Sequence, residues 1–407
     1  MKIGHISDLH LGIDNYGRIN PETGLNSRFV DFFETLEFCL KTCVERKVDI
    51  VLFGGDIFKN SFPSPTTQKM FAEKISILLR NEIPLIILTG NHDAPISFGK
   101  SSPIELYESL GLPTIKVVSK PENLRMKTKS GELQLLCLPW PTTSNFRTRE
   151  EAKSISREEI AQEVVKRCNA WLTQQAELLD KTLPSVILAH VNIASAIFSG
   201  TEKRAMITPD PTFETSDFRL DGIDYVALGH VHKFQNLNEN YTIPIVYPGS
   251  IERIDFGEEK NEKGFVIAEI KEKGKTEFEF IPTNARGFLT IKIDVTDSEN
   301  PMAQIEKELK AENISGKILR VILKIKKSDE TAIDKQKIDK LLQKAFYLAK
   351  IEFITEEEKR RKRIFVTKDE NLQDSVKKYL RKREDLSEHQ DKILEKVDDL
   401  ESRISQE

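Results

Sequence analysis

Hydrophobic residues along this chain fall into two periodicities that alternate with one another. Short aliphatic runs at Lys2–Ser7, Asp49–Phe53, Pro84–Thr89, Ser185–Ala189 and Asp224–Leu228 predict strands buried on both faces. Between them, apolar residues recur every three or four positions over Ser27–Arg46, Thr66–Asn81 and Arg157–Leu179, which predicts amphipathic helices. Strand and helix in alternation imply a layered α/β core. Residues 111–140 and 241–282 carry further short apolar runs, such as Leu133–Leu138 and Phe265–Ile270, and predict added strands in a mixed sheet or sandwich.

The pattern changes after the stretch Pro282–Gly287, which reads as a boundary. Strands at Leu289–Val295 and Ile318–Ile325, with helices around Met302–Ala311 and Ile333–Ala349, predict a small α+β domain. The charge-dense run Glu356–Arg363 reads as a solvated linker or helix start. Beyond it, Leu386, Ile393, Val397, Leu400 and Ile404 recur with heptad spacing and form one apolar seam in a charged tail. The seam is shorter than a convincing coiled coil, so packing on its own domain and docking on a partner helix pair both remain open. The organisation expected is therefore 1–284 as the main domain, 285–354 as the α+β domain, 355–371 as a linker and 372–407 as a helical tail.

Composition narrows the class of protein. A length of 407 residues suits two or three domains, and the balance of 39% hydrophobic to 31% charged residues is that of a globular, somewhat highly charged chain. Met1 and Lys2 lead straight into a strand, without the apolar core of a signal peptide, and no run approaches the ~18 apolar residues of a membrane span. A cytoplasmic protein without membrane association is expected. Cys39, Cys43, Cys137 and Cys168 are scattered without a CxxC pair, which argues against a zinc knuckle or disulfide framework and for reduced, structural thiols. The formal charge of −4 neither announces nor excludes a nucleic-acid partner, because a local patch matters more than the total.

Histidine placement carries the chemistry. Of seven histidines, five fall in the groups Asp8-Leu9-His10, Gly54-Gly55-Asp56, Gly90-Asn91-His92-Asp93, His190 and Gly229-His230-Val231-His232. Each group follows a predicted strand, so five strands deliver polar residues to the edge of the sheet where α/β ligand sites form. Residues two apart on an extended segment share a side, which predicts that Asp8 with His10, and His230 with His232, reach one cluster. The glycines at 54, 55, 90 and 229 allow tight turns or close approach. Carboxylates, an amide carbonyl and imidazoles without thiolate suit manganese, iron or zinc, with manganese the first choice. A shared Asp56 between two divalent ions is the arrangement of a paired-metal hydrolase, in which an activated hydroxide attacks phosphorus in line. His92 is then better used as a protonated donor near the leaving oxygen, with Asp93 orienting it. His5 reads as structural or as support for the ligands, and His389 as solvated.

At these residues the chain resembles the calcineurin-like metallophosphoesterase superfamily, whose pattern D-x-H, G-D, G-N-H-[DE], H, G-H-x-H is met in order. The stretches Tyr247–Glu258 and Ser199–Arg204 further resemble the SbcD family of DNA exonucleases, counterparts of the meiotic recombination nuclease of archaea and eukaryotes. That resemblance implies one metal held by Asp8, His10, Asp56 and His232 and another by Asp56, Asn91, His190 and His230, with His92 aiding the transition state without ligating. It implies a metal-dependent DNA exonuclease and endonuclease of double-strand-break repair, working on DNA ends, hairpins or single strands. It also implies a homodimer, a DNA-capping domain at 285–354, and a tail that docks on an SbcC-type coiled-coil ATPase. Some members have a histidine three residues after the bridging aspartate, where this chain has Lys59.

Basic residues in loops near the motifs, Arg18, Lys59, Lys100, Arg204, Lys233 and Arg253, are candidates for phosphate contacts, with Tyr16, Phe62 and Phe98 available to stack on unpaired bases. Two alternatives compete with a nuclease. One is a general phosphoesterase acting on phosphoproteins or small phosphodiesters, and the other a non-catalytic scaffold for DNA or an ATPase.

Overall fold

The computed structural model describes residues 1–94, 100–141, 156–200, 210–239, 241–355, 376–377, 380 and 390–404. In chain order the strands of the main body are β1 (Lys2–Ile6), β2 (Ile50–Phe53), β3 (Leu85–Leu88), β4 (Ile115–Val118), β5 (Glu122–Thr128), β6 (Gly131–Leu138), β7 (Ser185–His190), β8 (Asn192–Ile193), β9 (Thr212–Phe213), β10 (Tyr225–Gly229), β11 (Gln235–Asn236), β12 (Ile245–Tyr247), β13 (Gly264–Glu272) and β14 (Lys275–Pro282). They build two six-stranded sheets, ordered β14-β13-β1-β2-β3-β4 and β11-β12-β10-β7-β6-β5, while β8 and β9 pair separately. Strands β1 to β4 are parallel, as are β6, β7, β10 and β12, and antiparallel strands close the edges.

Alternation within these continuous apolar runs explains why both faces are buried. Ile50 and Leu52 of β2, with Ile86 and Leu88 of β3, face Leu135 of β6 and Leu188 of β7 in a core between the sheets. Val51 and Phe53 point the other way, against the helices Ser27–Glu45 and Pro65–Arg80. On the far side of the second sheet, Leu136, Ile187 and Val226 pack under the helix Arg157–Glu177. Two sheets enclosed by helices make a four-layer α/β sandwich. The helices begin where short polar side chains take up free amides: Asn26 accepts from Arg28 N, Ser64 from Thr67 N, and Ser156 forms a reciprocal box with Glu159.

His5 alternates with Ile3 toward the second sheet, so it is in phase with the core. Its Nε2 donates to the carbonyl of Leu228 at 3.0 Å, which leaves Nδ1 to accept from the Tyr225 hydroxyl at 2.9 Å. Both partners lie in or at β10, and the imidazole is thus a polar tie between the sheets. Burial pushes it down to about 3, against the opposing pull of the Leu228 carbonyl.

Beyond Pro282, strands β15 (Phe288–Asp294), β16 (Ile318–Ile325) and β17 (Tyr347–Thr355) form a three-stranded sheet, with helices Pro301–Ala311 and Lys335–Leu341 between them. The spacing predicts helix as far as Ala349, but the helix stops at Leu341 and Tyr347 opens a strand. Phe346 N bonds to Lys317 O at 2.9 Å, so pairing beside β16 overrides the local helical spacing. The chain divides into two compact units, one of residues 1–291, 309–321 and 336–351, the other of 292–308, 322–335 and 352–407. In the tail, Gln390–Ile404 is helical, with Ile393 and Val397 half-buried. Leu386, and the side chains of Leu400 and Ile404, lie outside the described residues, as does most of the expected 355–371 linker. No described helix is long and apolar enough to cross a membrane. All four cysteines are free and buried.

Candidate metal centre

Five core strands end at one edge, and the loops that leave them bring the polar groups together. The first loop runs beside the second: Asp8 N, His10 N and Leu11 N donate to the carbonyls of Gly55, Asp56 and Ile57 at 3.1, 3.0 and 2.9 Å. Simple strand alternation does not place these side chains. Asp8, His10 and Asp56 have φ of 54°, 45° and 53°, and His230 has φ of 106°, all in the left-handed half of the map that non-glycine residues avoid. The chain turns sharply at these four ligands, and bonds between the loops hold it there. Gly90 makes room, because a Cβ there would lie 2.1 Å from Asp56 Oδ1 and 2.3 Å from Asp56 N.

The carboxylate of Asp56 is the centre of the arrangement. Its Oδ2 stands 3.8 Å from His10 Nε2 and 3.5 Å from His190 Nε2, with buried imidazoles on two sides. Its Oδ1 accepts from His92 N at 2.9 Å. Burial alone raises the Asp56 carboxyl, but His190, His92 and His10 overcome this and hold it well below the usual carboxylate range. On one side, His10 Nε2 meets His232 Nε2 at 3.0 Å, and Asp8 completes a cluster with both. On the other, Asn91 Oδ1 faces His190 Nε2 at 2.9 Å and His230 Nδ1 at 3.1 Å. Asp8 also accepts from His230 N at 3.0 Å, so the two halves are tied.

These donors fit a pair of divalent cations. His190 Nδ1 donates to Gly54 O at 2.6 Å, which leaves Nε2 as a lone pair aimed at the Asn91 oxygen and Asp56. Burial by itself lowers His190, yet Asp56 and Asp8 push it up to about 9, so without metal a second proton occupies the place of a cation. Burial and the neighbouring His190 take His230 down to about 3, and its Nε2 is buried without a hydrogen-bond partner. Asp8 is raised by burial, against the pull of His232 and His190. The set contains oxygen and imidazole nitrogen without sulfur, which suits metals of intermediate hardness.

Against this geometry, residues 1–234 match the calcineurin-like phosphoesterase family. The chain belongs to that family. The SbcD protein of the nuclease SbcCD from Staphylococcus saprophyticus is 26% identical over 69% of this chain and 69% of its own length. The DNA double-strand break repair protein Mre11 of Methanopyrus kandleri is 25% identical over 83% of this chain and 68% of its own. The Mre11 protein of Nanoarchaeum equitans is 26% identical over 93% of this chain and 91% of its own.

Within this phosphoesterase core, the structure brings Asp8, His10, Asp56, Asn91, His190, His230 and His232 together. His92 joins them at the rim, edge-on to His10 with ring centres 4.9 Å apart. Its Nδ1 faces the carbonyl of Lys59 at 2.9 Å and so donates, leaving Nε2 as the working nitrogen. Asp93 does not orient His92. Its carboxylate is buried and accepts from Ile57 N, Phe58 N and Gly90 N at 3.1, 3.0 and 3.2 Å, tying the loop of Asp56 to that of Asn91. Burial and then Asp56 push it up to about 6, against those three bonds.

The basic candidates separate. Arg253 is not available to DNA: its guanidinium donates to the carbonyls of Ala285, Arg286 and Asn261 at 3.1, 3.2 and 2.8 Å and fastens backbone. Lys59 is half-buried and pairs with Asp14 at 3.3 Å, Arg18 and Lys100 are exposed, and Lys233 is half-buried. Arg204 and Phe98 lie outside the described residues. Tyr16 packs edge-on against Phe256 and Phe288 at 5.6 Å, whereas Phe62 is exposed. Sequence reasoning missed Trp140, whose ring leans over His230 at 4.9 Å and is edge-on to His190 at 5.9 Å. The signal was present, since Trp140 follows β6 at the same edge as the motifs. It also missed Glu258, whose carboxylate meets His232 Nδ1 at 2.8 Å.

Proposed function

We propose that this calcineurin-like phosphoesterase is a metal-dependent DNA nuclease that works with a coiled-coil ATPase of the SbcC type. The observation that carries the reading is the position of Asp56, one carboxylate between two sets of ligands, with His92 beside it. Asp8, His10, Asp56 and His232 would hold one ion and Asp56, Asn91, His190 and His230 the other, with Mn2+ the first choice. When bound, the pair supplies Lewis acidity at the phosphoryl oxygens and at the attacking water.

The chain's own residues do the rest. His92, held by the Lys59 carbonyl through Nδ1, presents Nε2 and gives its proton to the leaving oxygen. Asp93 keeps the two loops at fixed separation, and Trp140 walls one side of the ligands against water. Arg18, Lys59, Lys100 and Lys233 are the remaining candidates for phosphate contacts. DNA as substrate is supported by the SbcCD and Mre11 relatives, which match well beyond the phosphoesterase segment. The segment 285–354 would cap the DNA and the seam Leu386–Ile404 would dock on the ATPase, in a homodimer.

Purified chain with Mn2+ is given linear duplex, hairpin and single-stranded DNA and a small aryl phosphodiester, with and without the ATPase, beside a His92→Ala control. Degradation of DNA that His92→Ala lacks supports the reading. Turnover of the small ester with every DNA intact would show a general phosphodiesterase, and silence on all substrates a scaffold.

A further inference from the structure

The stretch Tyr247–Glu258 contributes no metal ligand, yet it ends in a fully buried carboxylate beside one. Glu258 closes the short turn Phe256–Glu258. Its Oε1 accepts from His232 Nδ1 at 2.8 Å, and its Oε2 accepts from Ile254 N at 2.9 Å and pairs with Lys263 Nζ at 2.8 Å. Lys263 is buried as well, and its three ammonium hydrogens are all engaged: Glu258, Ser250 Oγ at 2.7 Å and the carbonyl of His232 at 2.9 Å. Ser250 N bonds to that same carbonyl at 3.2 Å, and Ser250 bridges to Ser7, the neighbour of Asp8.

We propose that Glu258 and Lys263 are a positioning pair that clamps His232 at ring and backbone and thereby sets how tightly one of the two ions, that of Asp8, His10 and His232, is held. The argument is one of geometry. An ionised carboxylate accepts and never donates, so the hydrogen on His232 lies at Nδ1 and the lone pair at Nε2 points to His10 Nε2, 3.0 Å away. A carboxylate behind a ligating imidazole fixes both tautomer and ring angle. Lys263 extends this to the main chain, so one buried ion pair holds both the ring and the backbone of His232, and the ring cannot swing without giving up its bond to the carboxylate. On the other side of Asp56, the carbonyl of Gly54 stands behind His190, and among the described residues no carboxylate meets that Nδ1. The two ions are therefore unequally supported, and the Glu258–Lys263 pair acts on one alone.

The inference rests on the two-ion reading, and the wild-type chain tests that first: titration calorimetry must give two Mn2+ per chain and electron paramagnetic resonance a spin-coupled pair. Fewer ions would fail the site reading itself. Glu258→Leu with Lys263→Met removes both charges at similar volume, a change buried ion pairs often tolerate. We expect one ion to weaken by roughly 10- to 100-fold while the other is kept, with the coupled signal giving way to that of a single ion. Glu258→Gln with Lys263→Met restores an acceptor for Nδ1 and should return both ions to within about threefold of wild type. Equal weakening of both ions, unchanged binding, or no recovery with glutamine overturns the proposal. Should neither double variant fold, 15N-histidine spectra of the metal-free wild type decide: hydrogen on His232 Nδ1 is required, and hydrogen on Nε2 overturns it.

Discussion

Acid should loosen the main body of this protein through His5, and the size of the effect follows from where that ring sits. In the folded chain His5 is buried between the sheets and neutral down to about pH 3, whereas its ordinary value is 6.5. Between those limits the unfolded chain binds a proton that the folded chain refuses, so stability rises with pH across the window. The contribution is fully present above pH 6.5 and is lost as pH falls toward 3. At ~1.4 kcal/mol per pH unit, this is about 5 kcal/mol over the whole window and roughly 3 kcal/mol by pH 4. His10 and His230 are also depressed by burial in the metal-free site, so the wild type alone does not isolate His5. His5→Gln does, because an amide can reach the Tyr225 hydroxyl and the Leu228 carbonyl but has no proton to gain. At pH 7 the variant should be less stable by about 1–2 kcal/mol for imperfect hydrogen bonds. The difference should vanish near pH 5 and reverse below it. Urea unfolding in EDTA, followed by tryptophan fluorescence, measures this, since both tryptophans, Trp140 and Trp171, lie in the larger unit. Parallel stability curves for the two proteins from pH 7 to 4 would refute the reasoning.

His92→Ala should bind both ions normally yet lower kcat by about 10²- to 10⁴-fold, as calorimetry and DNA degradation would show; a lost ion would make His92 a ligand instead. Gly90→Ala drives a methyl into Asp56 and should cost about 1–3 kcal/mol with weakened metal binding, read by thermal unfolding and calorimetry. Saturating Mn2+ at about a thousand times the Kd of each site should stabilise the larger unit by about 4 kcal/mol per ion, or about 8 kcal/mol for the pair, over the EDTA-treated chain, and identical melting curves would argue against binding at this centre. Because Trp140 leans on His230, Mn2+ should quench its emission, and Trp140→Phe should remove most of the response.

The sequence revealed the strands and the edge they serve, because runs such as Ile50–Phe53 and Leu85–Leu88 are buried on both faces and read as such without long-range information. The same runs could not tell one sheet from two, since which face meets helix and which meets sheet is decided only by packing. The metal ligands were legible as a set. How they converge was not: Asp8, His10 and His230 sit in left-handed conformations held by bonds to distant loops, which local spacing cannot express. Asp93 and Arg253 were misread for a related reason. A charged residue beside a motif looks chemical in sequence, whereas here one fastens three amides and the other three carbonyls. Glu258 went unassigned because its partner His232 is 26 residues away and the turn between them has no periodic signature.

The division of ligands between the sheets bears on how the molecule assembles. Asp8, Asp56 and Asn91 leave β1, β2 and β3 of one sheet, while His190 and His230 end β7 and begin the loop after β10 of the other. Neither sheet alone carries a complete set for either ion. Metal capture therefore requires the two sheets to be docked in register, so metal ions should bind late in refolding, and Mn2+ uptake ahead of the recovery of native tryptophan fluorescence would refute this. A misregistered pair of sheets, even one with native secondary structure, would be left without metal and therefore without nuclease activity.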